Sequence, residues 1–119
     1  MGALTFTFMK VEKLEVTGHV WNPSASATTI KISVKNTGTA VITLSKVRVN
    51  GNDHTVQSGA LTTYGQWNAS DTTLDVGETA DVFVSRPSAS PTTFSSGVLY
   101  QFEIISTTNY ICPYSKTAP

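Results

Sequence analysis

Only one cysteine, Cys112, occurs in 119 residues, so no intrachain disulfide forms and stability must come from packing and hydrogen bonds. Charge is equally scarce. Asp, Glu, Lys and Arg make up 13% of the chain, about half the share of an ordinary soluble domain. Eight basic and eight acidic residues cancel, the pI is about 6.7, and neither sign forms a block. That excludes the basic stripe of a nucleic-acid binder and the solvating acidic tail. Runs of about 18 or more apolar residues, the mark of a membrane-spanning helix, are missing, as is a charged leader with an apolar stretch ahead of Leu4. No window carries a helical period. With so few carboxylates, little stabilising charge disappears on acidification, so the composition is compatible with an acidic exterior.

Hydroxyl groups take the place of charge. Ser and Thr account for more than a quarter of the residues, which gives a surface solvated by hydroxyls and favours strands through Thr, a balance that suits an extracellular protein better than a cytosolic one. The hydrophobic share of 39% and the length fit one domain with its own core. Met1-Gly2-Ala3 read as a start codon with cloning residues, leaving residues 4–119 as that single domain.

Period-two alternation runs through the chain. Leu4, Phe6 and Phe8, then Leu14, Val16, Gly18 and Val20, define a long first strand broken near 9–13, with His19 on its polar side. Ile30, Ile32 and Val34 line one face of the next strand. In the third, Ile42 and Leu44 give way to Val47 and Val49, a two-for-one slip that predicts a β-bulge at Ser45 and Lys46. Asn50-Gly51 predicts a tight hairpin leading into an antiparallel return at 54–57. Residues 58–70 read as a loop or weak edge strand holding Leu61, Tyr64 and Trp67. At 74–79 the pattern predicts a crossing between sheets, with Leu74 and Val76 tucked in and Gly77 turning. Ala80, Val82 and Val84 then face inward, with Phe83 between them on the polar side. Tyr100, Phe102 and Ile104 build a further strand, and a last one lies around 110–114. Turn signals every ~8–12 residues without a helix predict an all-β fold, an immunoglobulin-like antiparallel β-sandwich of about seven to nine strands. Ile32, Val34, Leu44, Val47, Val82, Phe102 and Ile104 are its expected shared core.

Groups that carry chemistry are dispersed. His19 and His54 lie in expected strands, read as solvent-facing, with no second ligand at a zinc spacing. Asp53 and His54 are adjacent and serines abound, but no nucleophile turn accompanies them. Cys112 beside Pro113 reads as a half-buried inert thiol. Asp53, Asp71, Asp75 and Asp81 read as solvated loop carboxylates without calcium-loop spacing. No catalytic, metal or cofactor residue is therefore expected. Asn68-Ala69-Ser70 is an N-glycosylation sequon in an expected loop, whereas Asn22-Pro23-Ser24 is disqualified by its proline. Leu4, Phe6, Phe8, Phe83 and Val84 are candidate partner-binding residues, because a β-prone apolar edge or outward face invites another chain.

The stretches ISVKNTGTAVITLSKVRVNG, LDVGETADVFV and GVLYQFEIISTTNY together resemble the extracytoplasmic domains of archaeal surface-filament proteins, a group that includes archaellins, pilin-like proteins and the archaellum stator proteins F and G. The positions that carry the resemblance are Asn36, Gly38, Val47, Asn50, Gly51, Leu74, Gly77, Glu78, Tyr100, Phe102 and Ile104. Val76 stands where the pattern usually has proline, and the hydrophobic N-terminal helix of such proteins is absent from this chain, so membrane attachment is expected only through a helix upstream of it. The resemblance implies a non-enzymatic structural domain in the cell envelope, between membrane and S-layer or at the cell surface. A motility role like that of the archaellum stator is the preferred reading. The implied partners are the chain itself, a related β-sandwich of the filament or stator, and an S-layer protein. Two alternatives are a filament-subunit head domain and a carbohydrate-binding sandwich in which Tyr64 and Trp67 stack on sugars.

Overall fold

In the computed structural model, which describes residues 11–21, 29–57, 61, 64–87 and 94–119, the alternating stretches are strands. They are β1 (Leu14–Trp21), β2 (Thr29–Asn36), β3 (Ile42–Val49), β4 (Asn52–Val56), β5 (Gln66–Ala69), β6 (Thr73–Leu74), β7 (Thr79–Ser85), β8 (Leu99–Ser106) and β9 (Ile111–Thr117). No helix occurs among the described residues. The expected all-β class and strand count are those observed.

The strands form one continuous hydrogen-bonded path, β1-β2-β7-β5-β4-β3-β8-β9, with β6 added beside β3. Every pair is antiparallel except β4–β5, which runs parallel, so the sheet is mixed where uniform antiparallel pairing was expected. The path curls until its two ends meet, nearly closing a barrel. Across that seam the Tyr114 hydroxyl lies 2.6 Å from His19 Nδ1, the Leu14 N–H donates to the Tyr110 hydroxyl, and the Cys112 thiol donates to the Leu14 carbonyl.

Two irregularities set which side chains face the core. In β3 the register against β8 shifts between Leu44 and Lys46, the expected bulge, and Ile42, Leu44, Val47 and Val49 are all buried. A second shift lies in β1 between Val16 and Gly18. Beyond it the faces exchange: His19 pairs with Ile32 and Trp21 with Ile30, so both rings turn inward, while Val20 is 45% exposed. The outward His19 of the simple alternation is thereby corrected. Trp21 meets Phe94 edge-on at 5.2 Å, and Phe94 meets Tyr100 at 5.0 Å and 84°, within the preferred range of T-shaped pairs. This aromatic plug closes one end of the core. The seven expected core residues are all buried.

A buried amide closes the other end. Asn36 is fully buried. Its Nδ2 donates to the carbonyls of Ala40 and Leu74, its Oδ1 accepts from Gly38 N–H, its own N–H reaches the Glu78 carbonyl, and its carbonyl accepts from Gly77 N–H. The turn after β2 is thus tied to the crossing between β6 and β7. Gly38 brings in a third segment: Thr37 and Thr39 N–H donate to the carbonyls of Lys13 and Val11, and a Cβ on Gly38 would sit 2.2 Å from the Val11 carbonyl oxygen. Only glycine fits there. Gly77, at φ 84°, turns the crossing as expected, but Val76 is 57% exposed because the turn aims it outward, and only Leu74 is tucked in.

Asn36→Ala strands Gly38 N–H and the carbonyls of Ala40 and Leu74, and each buried group left unpaired costs about 1–3 kcal/mol. Urea unfolding should show a loss at least as large as that of Ile32→Ala, a fully buried position for which about 2–5 kcal/mol is expected. A loss below about 0.5 kcal/mol, the scale of an ordinary surface substitution, would refute the role assigned to Asn36.

Candidate functional site

The candidate residues around β7 separate once the strand is in place. β7 lies between β2 and β5, so neither of its edges is open to strand addition. Val84 pairs with Ile30 on one side and Trp67 on the other and is 0% exposed. It is a core residue, which corrects its assignment as a partner contact. Phe83 points the opposite way, half-buried, in register with Lys31 of β2 and Asn68 of β5. Lys31 in turn pairs with Val20 of β1. An outward row Asn68–Phe83–Lys31–Val20 therefore crosses four strands. Beside it the Ser33 hydroxyl donates to Asp81 Oδ1 at 2.8 Å. Leu4, Phe6 and Phe8 lie outside the described residues.

Asn68 sits within β5 and not in a loop. The segment 66–69 lacks a long alternating pattern, yet it becomes an interior strand because Trp67 is buried against Val84. The Ser85 hydroxyl also accepts from Gln66 N–H and donates to the Gln66 carbonyl, extending the β5–β7 contact by one residue. With Trp67 inside, the pair of stacking aromatics required by a carbohydrate platform does not exist. Tyr64 is exposed, with the Arg86 guanidinium 6.0 Å from its ring centre.

The ionisable groups serve the framework. His54 pairs with Val47 and is only 6% exposed, a correction to its solvent-facing reading. Its Nε2 lies 3.0 Å from the Ser85 carbonyl, which fixes the tautomer carrying the proton on Nε2. Nδ1 is buried with no hydrogen-bond partner among the described residues. Burial pushes the His54 pKa below its ordinary 6.5, against the opposing pull of the Ser85 and Asn52 carbonyls. Burial likewise raises the pKa of Cys112, which keeps the thiol protonated. Asp53 accepts from Arg48 Nε at 2.5 Å, and this hydrogen bond draws its pKa down. Asp71 is lowered chiefly by the Thr73 N–H, while its neighbour Glu78 is raised chiefly by the hydrogen bond shared with Asp71. No three of His, Cys, Asp and Glu converge in a metal-binding arrangement among the described residues.

The outer edges of β1 and β9 carry no ladder partner among the described residues. Val20 of β1 and Ile111 of β9 are exposed apolar side chains on those strands.

Comparison with known proteins bears on the fold. No family model matches the chain, and no curated protein matches it. Among solved structures, the archaellum periplasmic stator protein FlaG from Sulfolobus acidocaldarius superposes with a TM-score of 0.65 at 16% identity, covering 89% of this chain and 100% of that one. The archaellum periplasmic stator protein complex of FlaF and FlaG from the same organism gives 0.63 at 16% identity, covering 98% and 100%. The chain has the fold of the archaellum stator proteins.

His54 makes stability depend on pH in a defined direction. Its folded pKa lies below the unfolded value of 6.5, so the unfolded chain takes up a proton first as pH falls. The contribution is complete above pH 6.5 and is lost on acidification from that value down through the folded pKa. Thermal melts of wild type should therefore show a midpoint that declines below pH 6.5. His54→Gln should flatten that decline, and an equally steep decline in the variant would show that other groups cause it.

Proposed function

We propose that this chain is a non-enzymatic, extracytoplasmic structural domain of an archaeal surface filament, stator-like in role, that docks on a related β-sandwich. The observation that carries this reading is a fold shared over the whole length of the matched chain in each of two stator structures, at an identity of 16%. The periplasmic designation of those proteins and the hydroxyl-rich, weakly charged composition support an extracytoplasmic position. The FlaF–FlaG complex supports a partner of related fold. The groups most able to do chemistry are committed to structure: His54 to the Ser85 carbonyl, Cys112 to the Leu14 carbonyl, Asn36 to the turn and crossing.

Docking runs through the strand edge at the seam. β7 is enclosed on both sides, while the outer edges of β1 and β9 carry no ladder partner among the described residues, apart from the contacts of Leu14 with Tyr110 and Cys112, and an added strand or facing sheet gains main-chain hydrogen bonds there. Leu4, Phe6 and Phe8, which precede β1 in the sequence, remain candidates for the same contact on their apolar, β-prone pattern alone. A lysine on an edge strand opposes such pairing. Sedimentation velocity of the chain mixed with a FlaF-type stator domain should show a complex, and Val20→Lys should weaken it at least tenfold, equivalent to about 1.4 kcal/mol, with no change in melting midpoint. Monomers at every concentration, alone and mixed, would overturn the stator reading. Filaments formed by the chain alone would replace it with a filament-subunit role.

A further inference from the structure

Asn68-Ala69-Ser70 is the one N-x-[ST] triplet without a central proline in the 119 residues. The fold puts its three side chains in distinct places. Ala69 packs toward the core opposite Val82. Asn68 points outward, directly across from Phe83. Ser70 lies just beyond β5, where its N–H donates to the Asp81 carbonyl and its hydroxyl accepts from Asp81 N–H. The chain through the triplet is thus held extended, with Trp67 anchoring it from inside.

Phe83 is the unusual residue on this face. Its neighbours there are polar: Lys31 in register on β2, Asn68 on β5, and the Ser33–Asp81 hydrogen bond one step along. The ring stays half-exposed in the middle of an enclosed strand. Cross-strand partners hold their Cβ atoms about 4.5–5.5 Å apart, so a pyranose attached to Asn68 Nδ2 emerges beside the Phe83 ring. The C–H bonds on one face of that sugar meet the aromatic face, an apolar-on-aromatic contact of the kind aromatic rings favour.

We propose that Asn68 is an N-glycosylation site and that Phe83 is the platform on which the first sugar packs. The proposal rests on the extracytoplasmic reading given above, since transfer requires the chain to meet a transferase outside the cytoplasm. In the transfer, Asn68 Nδ2 attacks the anomeric carbon of a polyisoprenyl-phosphate-linked oligosaccharide. The C1–Nδ2 bond forms, the C1–O bond to the lipid phosphate breaks with its electron pair leaving on phosphate, and the amide proton passes to a base of the transferase. Nothing is oxidised or reduced. Because β5 lies between β4 and β7, transfer precedes closure of the sheet. Afterwards the glycan covers the outward face of β5 and β7 and leaves the outer strands β1 and β9 uncovered.

The test uses the whole product of the native gene, with whatever precedes this chain, made in an archaeal host that performs N-glycosylation, with protease accessibility on intact cells reporting its location. Mass spectrometry of the peptide bearing Asn68 should show a glycan that is absent in Asn68→Gln and in Ser70→Ala. The glycosylated protein should melt a few degrees above Asn68→Gln, roughly the scale of a single favourable contact in a domain of this size, and that difference should vanish in the Phe83→Ala background. An accessible chain with unmodified Asn68 overturns the proposal while leaving the location reading intact. A cytoplasmic chain overturns both. A glycan whose stabilisation survives Phe83→Ala overturns the platform. If Asn68→Gln is silent and Phe83→Lys instead releases a cross-linked protein partner, the face belongs to protein docking and the proposal fails.

Discussion

The side chain of Asn36 is where three separated parts of the chain are brought into one. A primary amide offers two donors and a two-lone-pair acceptor on one planar group, and here both ends are used against backbone. Two carbonyls, those of Ala40 and Leu74, share the Nδ2, while Gly38 N–H takes the oxygen. No other side chain of similar size makes this set. Asp lacks the donors, Leu has neither function, and Gln would carry the amide a methylene too far. Inside the protein these bonds are worth more than at the surface, and leaving them unmade is correspondingly costly. With the turn and crossing fixed, Gly38 can lie against residues 11–13 closely enough to exclude even a methyl group. β1 then enters its sheet in the register that directs His19 and Trp21 inward.

Much of this was legible in the sequence, and the particular successes have local causes. The slip from Ile42 and Leu44 to Val47 and Val49 shows the β3 bulge directly, because only a two-for-one shift keeps both pairs on the buried face. Asn50 at φ 52° and Gly51 at φ 83° make the hairpin that Asn-Gly announces. That hairpin contained a further consequence that the alternation alone left unused. A two-residue turn pairs Val49 with Asn52 and so Val47 with His54, and since Val47 faces the core, His54 must as well.

The features that strict alternation missed arise from tertiary context. The β1 bulge falls in Glu15–His19, where polar residues flank Gly18 and either face remains open. Only pairing with the uniformly apolar inner face of β2 decides it. Trp67 and Phe94 sit in stretches without period, and each is buried because the barrel needs a large ring at that place. β5 is four residues long, too short for any pattern to declare it. The candidate partner surface was legible only in part: Phe83 faces outward as its polar neighbours implied, whereas Val84 follows Val82 and Ala80 into the core. A fold maintained by inner-face alternation, a few turn glycines and one buried amide leaves the outer face free to vary. This is consistent with a shared architecture at 16% identity to the stator proteins.

Native-state amide hydrogen exchange tests the dependence on Asn36 most directly. If the turn, the crossing and the N-terminal entry are one cooperative unit, the amides of Gly38, Gly77 and Thr37 exchange with the same opening free energy as core amides of β2 and β7, although they lie at the end of the barrel. Exchange at Gly38 and Gly77 orders of magnitude faster than at Ile32 and Val82 would show a locally frayed end and contradict the account.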